Sequence, residues 1–189
     1  MKKFIKIILI SLTLNFLFSQ ISSEGTPKSI LIELDKNIPT IKLASIDFKT
    51  LELEDRIEQM DKSIPFRFGT PIEVNYDLNN SGEWTDTELG RIWRLSITSE
   101  SAYSINLLYD RFILPEGAEM YLYDSEMTTI LGAFTSANNK NHQTFSTSPT
   151  KGSTTIIEYF EPYNVEFNGE ISINSVVHGY KDVFFNETR

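Results

Sequence analysis

Between Gly90 and Thr135 apolar and polar residues alternate in short runs, GRIWRLSITSESAYSINLLYDRFILPEGAEMYLYDSEMTTILGAFT. Trp93, Leu95 and Ile97 interleave with Arg94, Ser96 and Thr98, the two-residue period of a strand with one buried face. Ile105, Leu107 and Tyr109 repeat the pattern after the polar Ser99-Glu100-Ser101. The apolar phase then slips to Phe112 and Leu114, which predicts a β-bulge near Asp110 and Arg111, because one inserted residue exchanges the two faces of a strand. Pro115-Glu116-Gly117 carries tight-turn chemistry. Ala118, Met120 and Leu122 begin a third run, and Ile130 to Phe134 form a fourth. The whole stretch reads as an antiparallel meander, half of a β-sandwich.

The flanking sequence extends this picture. Ile72, Val74 and Tyr76 alternate as a first strand, and Thr144 to Thr147 form a weak one before the turn SPTKG at 148–152. Thr155, Ile157 and Tyr159, set against Ile156 and Phe160, are apolar on both sides as a central strand is, and Glu161-Pro162 ends it. Ile171, Ile173 and Val177 make the last strand. About eight short strands, with turns every 8–12 residues, predict an all-β fold: an antiparallel, jelly-roll-like β-sandwich. Its expected core is Trp93, Leu95, Leu107, Leu122, Phe134, Ile157 and Ile173.

Upstream, SILIEL at 29–34 is a strand candidate and TIKLASIDF at 40–48 a weaker one. Leu53, Ile57 and Met60 fall at helical spacing, with Glu52, Glu54 and Asp55 early, Lys62 late, and Pro65 as the stop. A short amphipathic helix from Leu51 to Asp61 is expected to cap one open end of the sandwich, or to dock on a following domain. Residues 1–20 open with Lys2, Lys3 and Lys6 and continue into an apolar run from Ile7 to Phe18, the layout of a secretory signal peptide. That run is short for a membrane anchor, which needs about 20 apolar residues. The expected division is a signal peptide at 1–20, an extension with the helix at 21–64, the sandwich at 65–180 and the start of a linker at 181–189.

Composition narrows the chemistry. The 189 residues include no cysteine, which excludes disulfides, thiolate metal sites, cysteine nucleophiles and a lipid-bearing cysteine. The 169 residues after Gln20 suffice for a sizeable core. Net charge is −9, and −12 without the three lysines of the first segment. An acidic chain repels phosphate backbones and anionic lipid, so neither nucleic acid nor a stable membrane attachment is expected as partner.

Few residues ask for a chemical role. Asp77, Asn79 and Ser81, with Gly82 next and Glu88 six residues beyond the glycine, nearly satisfy the spacing of a calcium loop, whose oxygens converge on a hard cation. The flanks alternate like strands, however, and Asn79-Asn80-Ser81-Gly82 is equally good hairpin-turn chemistry, so the plain turn is the expected outcome and no cofactor is assigned. His142 and His178 are the only histidines; there is no GxSxG and no GDSGG-like nucleophile segment. Trp84, Tyr121 and Tyr123 are candidates for an exposed binding surface, for instance one stacking on sugar rings, with cross-strand packing as the plainer reading.

WRLSITSESAYSINLLYDRFILPEGAEMYLYD followed by LGAFT resembles the non-catalytic N-terminal region of secreted trypsin-like serine endopeptidases, the lysyl endopeptidases and their Bacteroidetes counterparts in particular. PFRFG at 65–69, NNSGEWT at 79–85, IIEYFEP at 156–162 and VVHGY at 176–180 extend the resemblance over about Pro65 to Tyr180. It implies a pro-region or accessory domain, exported by the signal peptide, that assists folding of its own peptidase domain or restrains it. The peptidase domain, which carries the specificity, has no counterpart in these residues. The alternative is a stand-alone secreted or surface-bound β-sandwich binding module, for instance for carbohydrate.

Overall fold

The computed structural model describes residues 25–184 apart from Lys36 and Gln59. The expected signal peptide lies outside the described residues. Eleven strands are described, β1 (Thr40–Lys42), β2 (Gly69–Asp77), β3 (Glu83–Asp86), β4 (Gly90–Thr98), β5 (Ser104–Ile113), β6 (Glu119–Asp124), β7 (Ile130–Phe134), β8 (Phe145–Ser146), β9 (Thr150–Lys151), β10 (Thr154–Pro162) and β11 (Glu170–Gly179), with two helices, α1 (Lys28–Leu31) and α2 (Phe48–Glu58). One sheet has the order β4-β10-β6-β7, with β3 and β1 both on the outer edge of β4. The other has the order β2-β11-β5, with β8 and β9 both on the β5 edge. Apart from the parallel β1–β4 pair, all these pairings are antiparallel.

Counting β2, β4, β5, β6, β7, β8 with β9, β10 and β11 as eight positions, the sheets read 1-8-3-6 and 2-7-4-5. That is the strand order of a jelly roll, and the all-β sandwich is as expected. The meander is corrected: β4 and β5 lie in opposite sheets. Residues 99–103 carry the chain across the end of the sandwich, where the Ser99 N–H donates to the Ser153 carbonyl and the Tyr103 N–H to the Gly179 carbonyl. Both strands turn one face into the same core, so their alternation is identical whether they pair side by side or oppose one another.

The phase slip in β5 is a bulge. Arg111 faces Ser172 and Tyr109 faces Ile173, which leaves Asp110 without a partner in the ladder. One step further Leu108 faces Ser175, so Asn174 of β11 is skipped in turn and the register recovers. The second bulge corrects the reading of the last strand, since Val176 and not Val177 enters the core. At Pro115-Glu116-Gly117 the Ala118 N–H donates to the Pro115 carbonyl at 3.2 Å, with Gly117 at φ +82° as a type II turn requires.

Trp93, Leu95, Leu107, Leu122, Phe134, Ile157 and Ile173 are buried in one core. The Trp93 indole N–H donates to the Ser81 carbonyl at 2.8 Å, and its ring would lie 2.6 Å from a Cβ at residue 82, the position of Gly82. This pins the β2–β3 connection to the core.

The N-terminal part departs from expectation. Residues 29–34 do not form a strand; Lys28 to Leu31 make one helical turn after Pro27, with only Ser29 buried. Asp47, just before helix α2, caps it: its Oδ1 accepts the Lys49 and Thr50 N–H groups at 3.1 and 3.4 Å. The helix does meet the end of the sandwich, but through Phe48, edge-on to the His178 ring, and through buried Leu51 and Asp55. Leu53, Ile57 and Met60, the face read as core-directed, are 60, 58 and 79% exposed.

Candidate functional site

The outer face of the β4-β10-β6 sheet is where polar chemistry concentrates. Arg94, Glu158 and Tyr121 sit at facing register positions on β4, β10 and β6, and Tyr123 follows on β6. Glu158 is fully buried. Its Oε1 accepts the Ser29 N–H at 2.9 Å; its Oε2 accepts the Ser29 hydroxyl and, at 3.1 Å, the Tyr123 hydroxyl. Arg94 donates to the Asp35 carbonyl at 2.6 Å, Lys28 pairs with Glu119 at 3.2 Å, and the Ser96 N–H donates to the Pro39 carbonyl. Residues 25–43 are therefore a strap over the sheet, anchored at its far end by β1.

Tyr121 and Tyr123, proposed above as exposed aromatics, are 2 and 1% exposed beneath that strap. The alternation that turned them away from the core was right, but the N-terminal segment covers the outward face. Burial, with the nearby Glu158 carboxylate, pushes the Tyr123 hydroxyl above its ordinary value. A groove of about 670 Å³ remains beside the strap, lined by Arg94, Tyr123, Ile156 and the turn from Ser125 to Met127.

Trp84 lies elsewhere. It is half-buried, with the Arg91 guanidinium 4.2 Å over its ring, Tyr159 edge-on at 5.8 Å, and its indole N–H donated to the Leu78 carbonyl. Arg91 is held in turn by buried Glu161, which also accepts the Tyr159 hydroxyl at 2.7 Å and the Gly169 N–H at 2.6 Å. Trp84, Asn79, Arg91, Phe167, Asn168 and Glu170 line an open cleft of about 460 Å³ at one end of the sandwich. Of the residues singled out in the sequence, Asn79 and Trp84 line this cleft.

The Asp77 turn joins two strands rather than two helices. Asp77 Oδ1 accepts the N–H groups of Asn79 and Asn80 at 2.6 and 2.9 Å, and the Ser81 hydroxyl donates to the Asp77 carbonyl. Glu88 is exposed in the β3–β4 turn. Among the described residues no three His, Asp or Glu side chains cluster as metal ligands do.

The histidines part company as well. His142 is exposed and accepts the Thr144 N–H. His178 is fully buried, its Nδ1 2.7 Å from the Ser99 hydroxyl. Ser99 is 1% exposed, so this hydroxyl–imidazole pair has no route to a substrate. No family model matches the chain.

A charged clamp, which hydrophobic patterning did not reveal, ties α2 to the start of β2 and the end of β11, which pair at one end of the sandwich. Buried Asp55 receives Arg67 just before β2 at 3.0 Å, and Lys181 and Tyr180 just after β11 at 2.7 and 2.9 Å. Burial pushes the Asp55 carboxyl up, but the bonds from Lys181, Tyr180 and Arg67 outweigh it and hold the group below its ordinary value. Burial, with the Asp55 carboxylate beside it, pushes the Tyr180 hydroxyl up to about 12. Arg67 also bonds Glu54 at 3.0 Å, and Lys181 donates to the Arg67 carbonyl at 2.7 Å while lying over the Phe66 ring. In the sequence Asp55 is one of several acids early in the helix, and its partners are 12, 125 and 126 residues away.

Proposed function

We propose that this chain is the non-catalytic N-terminal pro-region or accessory domain of a secreted trypsin-like serine endopeptidase of the lysyl endopeptidase type. It acts by surface and not by chemistry. The observation that carries the reading is the clamp at Asp55, which makes the N-terminal extension, the start of the sandwich and the segment after its last strand one unit. A domain that templates or restrains an enzyme needs a preorganised surface, because order established beforehand lowers the cost of binding. The sequence resemblance supports the same reading, and the Ser99–His178 hydroxyl–imidazole pair is sealed in the core. The experiment is refolding of the separately expressed peptidase domain with and without this chain. A raised refolding yield or suppressed activity supports the role; no change in either rejects it.

The cleft at Trp84 favours a second reading, a stand-alone module for carbohydrate. Aromatic rings, two amides, an arginine and a glutamate line it, and these are the groups that sugars engage. Titrating oligosaccharides against tryptophan fluorescence tests it, and a flat titration across plant, fungal and bacterial glycans sets it aside.

A further inference from the structure

Helix α2 turns one face to the sandwich and, among the described residues, leaves the other without a partner. Leu51 and Asp55 are buried, while Leu53 and Ile57, one helical turn apart, are exposed, and Met60, Ile64 and Phe66 continue the apolar surface past the helix end. Five exposed large apolar side chains in fourteen residues is more than scattered surface hydrophobicity requires. Charge is distributed unevenly along this stripe. At 3.6 residues per turn Lys49 and Arg56 run along one edge, and Glu54 lies along the other. Neither Lys49 nor Arg56 makes an ion pair among the described residues, whereas Glu54 is 47% exposed and touches Arg67.

Written as a heptad, Thr50 and Ile57 take the a positions and Leu53 the d position, with Met60 next in the d series just after the helix. Lys49 and Arg56 are then g residues and Glu54 is an e residue. In a parallel two-stranded pairing each g residue meets the e residue five positions on in the other helix. Lys49 thereby meets Glu54 of a second copy, and the two-fold axis repeats the pair. Arg56 finds Asp61 at the same five-residue step, in the turn after the helix. An antiparallel pairing would bring like edges together, setting Lys49 and Arg56 against their own kind. Ile at a with Leu at d also favours two strands.

We propose that the exposed face of α2 is a self-association surface, on which two copies of this chain pair through parallel α2 helices. The opposite face, through Asp55, holds each helix in place on its own sandwich. The inference does not rest on the peptidase reading. Three helical turns and a few flanking side chains give an interface at the small end of the stable range, so the dimer is weak, with dissociation expected at roughly micromolar to hundred-micromolar protein.

Because the chain has no cysteine, single introduced thiols report the geometry without background. The full chain is followed by sedimentation velocity from about 1 to 500 μM, with Thr50→Cys and, as a surface control, Glu116→Cys variants oxidised in parallel. A monomer–dimer equilibrium is expected, with Thr50→Cys cross-linking far faster than the control. Leu53→Glu should leave a folded monomer, with unchanged circular dichroism. Lys49→Glu should weaken association about three- to tenfold, and mixing it with Glu54→Lys should restore it. A monomer at every concentration overturns the proposal. So does a dimer that survives Leu53→Glu, or one in which Thr50→Cys cross-links no faster than the control. Loss of peptidase binding in a Leu53→Glu chain that was already monomeric would assign the stripe to that partner instead, and equally overturn it.

Discussion

Removing the Ser29 hydroxyl tests whether the strap is part of the cooperative fold. In Ser29→Ala the buried Glu158 carboxylate keeps the residue 29 N–H at 2.9 Å and the Tyr123 hydroxyl at 3.1 Å, but loses one of its three donors. A hydrogen bond to a buried charge contributes about 1.5–3 kcal/mol. Alanine is the better helix former, which returns up to about 0.5 kcal/mol in α1. The net expectation is a loss of about 1–2.5 kcal/mol. Urea unfolding followed through Trp84 and Trp93 reads it directly, with the slope unchanged if the native state is otherwise intact. Combining Ser29→Ala with Tyr123→Phe should cost more than the two single losses together, because both donors serve Glu158 Oε2. Hydrogen exchange at the strap amides of Ser29 and Leu43 should accelerate in step with global unfolding. A loss below about 0.5 kcal/mol with unchanged exchange would refute the reasoning and make the strap an incidental cover.

Three further outcomes are expected. Leu95→Ala and Ile157→Ala, both at fully buried positions, should each cost about 2–5 kcal/mol in the same urea assay, and losses under about 0.5 kcal/mol at both would undo the assigned register. Burial holds the His178 imidazole below its ordinary 6.5, so the unfolded chain binds a proton that the native one refuses; stability should fall as pH drops through about 6.5, and His178→Gln should flatten that limb. Asp55→Asn should free Lys181 from its carboxylate at 2.7 Å, and a lysine-specific protease should then cut after Lys181 several-fold faster by intact mass, with equal rates in the two proteins counting against the clamp.

The sandwich was legible because jelly-roll strands each carry one core face, and alternation at 93, 95, 97 and again at 105, 107, 109 records that face directly. The Asp110 bulge was legible for the same reason, as a slip in phase. Its compensating partner at Asn174 left no such mark, since Ser175 and Val176 are followed by an apolar Val177 that fits either register. Which strands share a sheet could not be read from the pattern, because β4 and β5 look alike from inside the core. The candidate site was the least legible part. Tyr121 and Tyr123 point outward as expected, yet a segment some ninety residues upstream lies over them, docked by a serine whose role comes from Glu158. Leu53, Ile57 and Met60 form a proper amphipathic stripe, but the helix is oriented by Asp55, a charge that hydrophobic periodicity counts as surface.

The central claim, a surface-acting partner of a peptidase domain, is tested most directly by titrating the separately expressed peptidase domain with this chain by calorimetry at low and at physiological salt. An acidic chain meeting a basic patch gives a complex whose affinity drops as salt rises, since exposed charges more than about 8 Å apart are screened at physiological ionic strength. The chain alone should hydrolyse no peptide bond under the same conditions. Absence of any binding heat at low salt, with peptidase refolding and activity unaltered, would contradict the account.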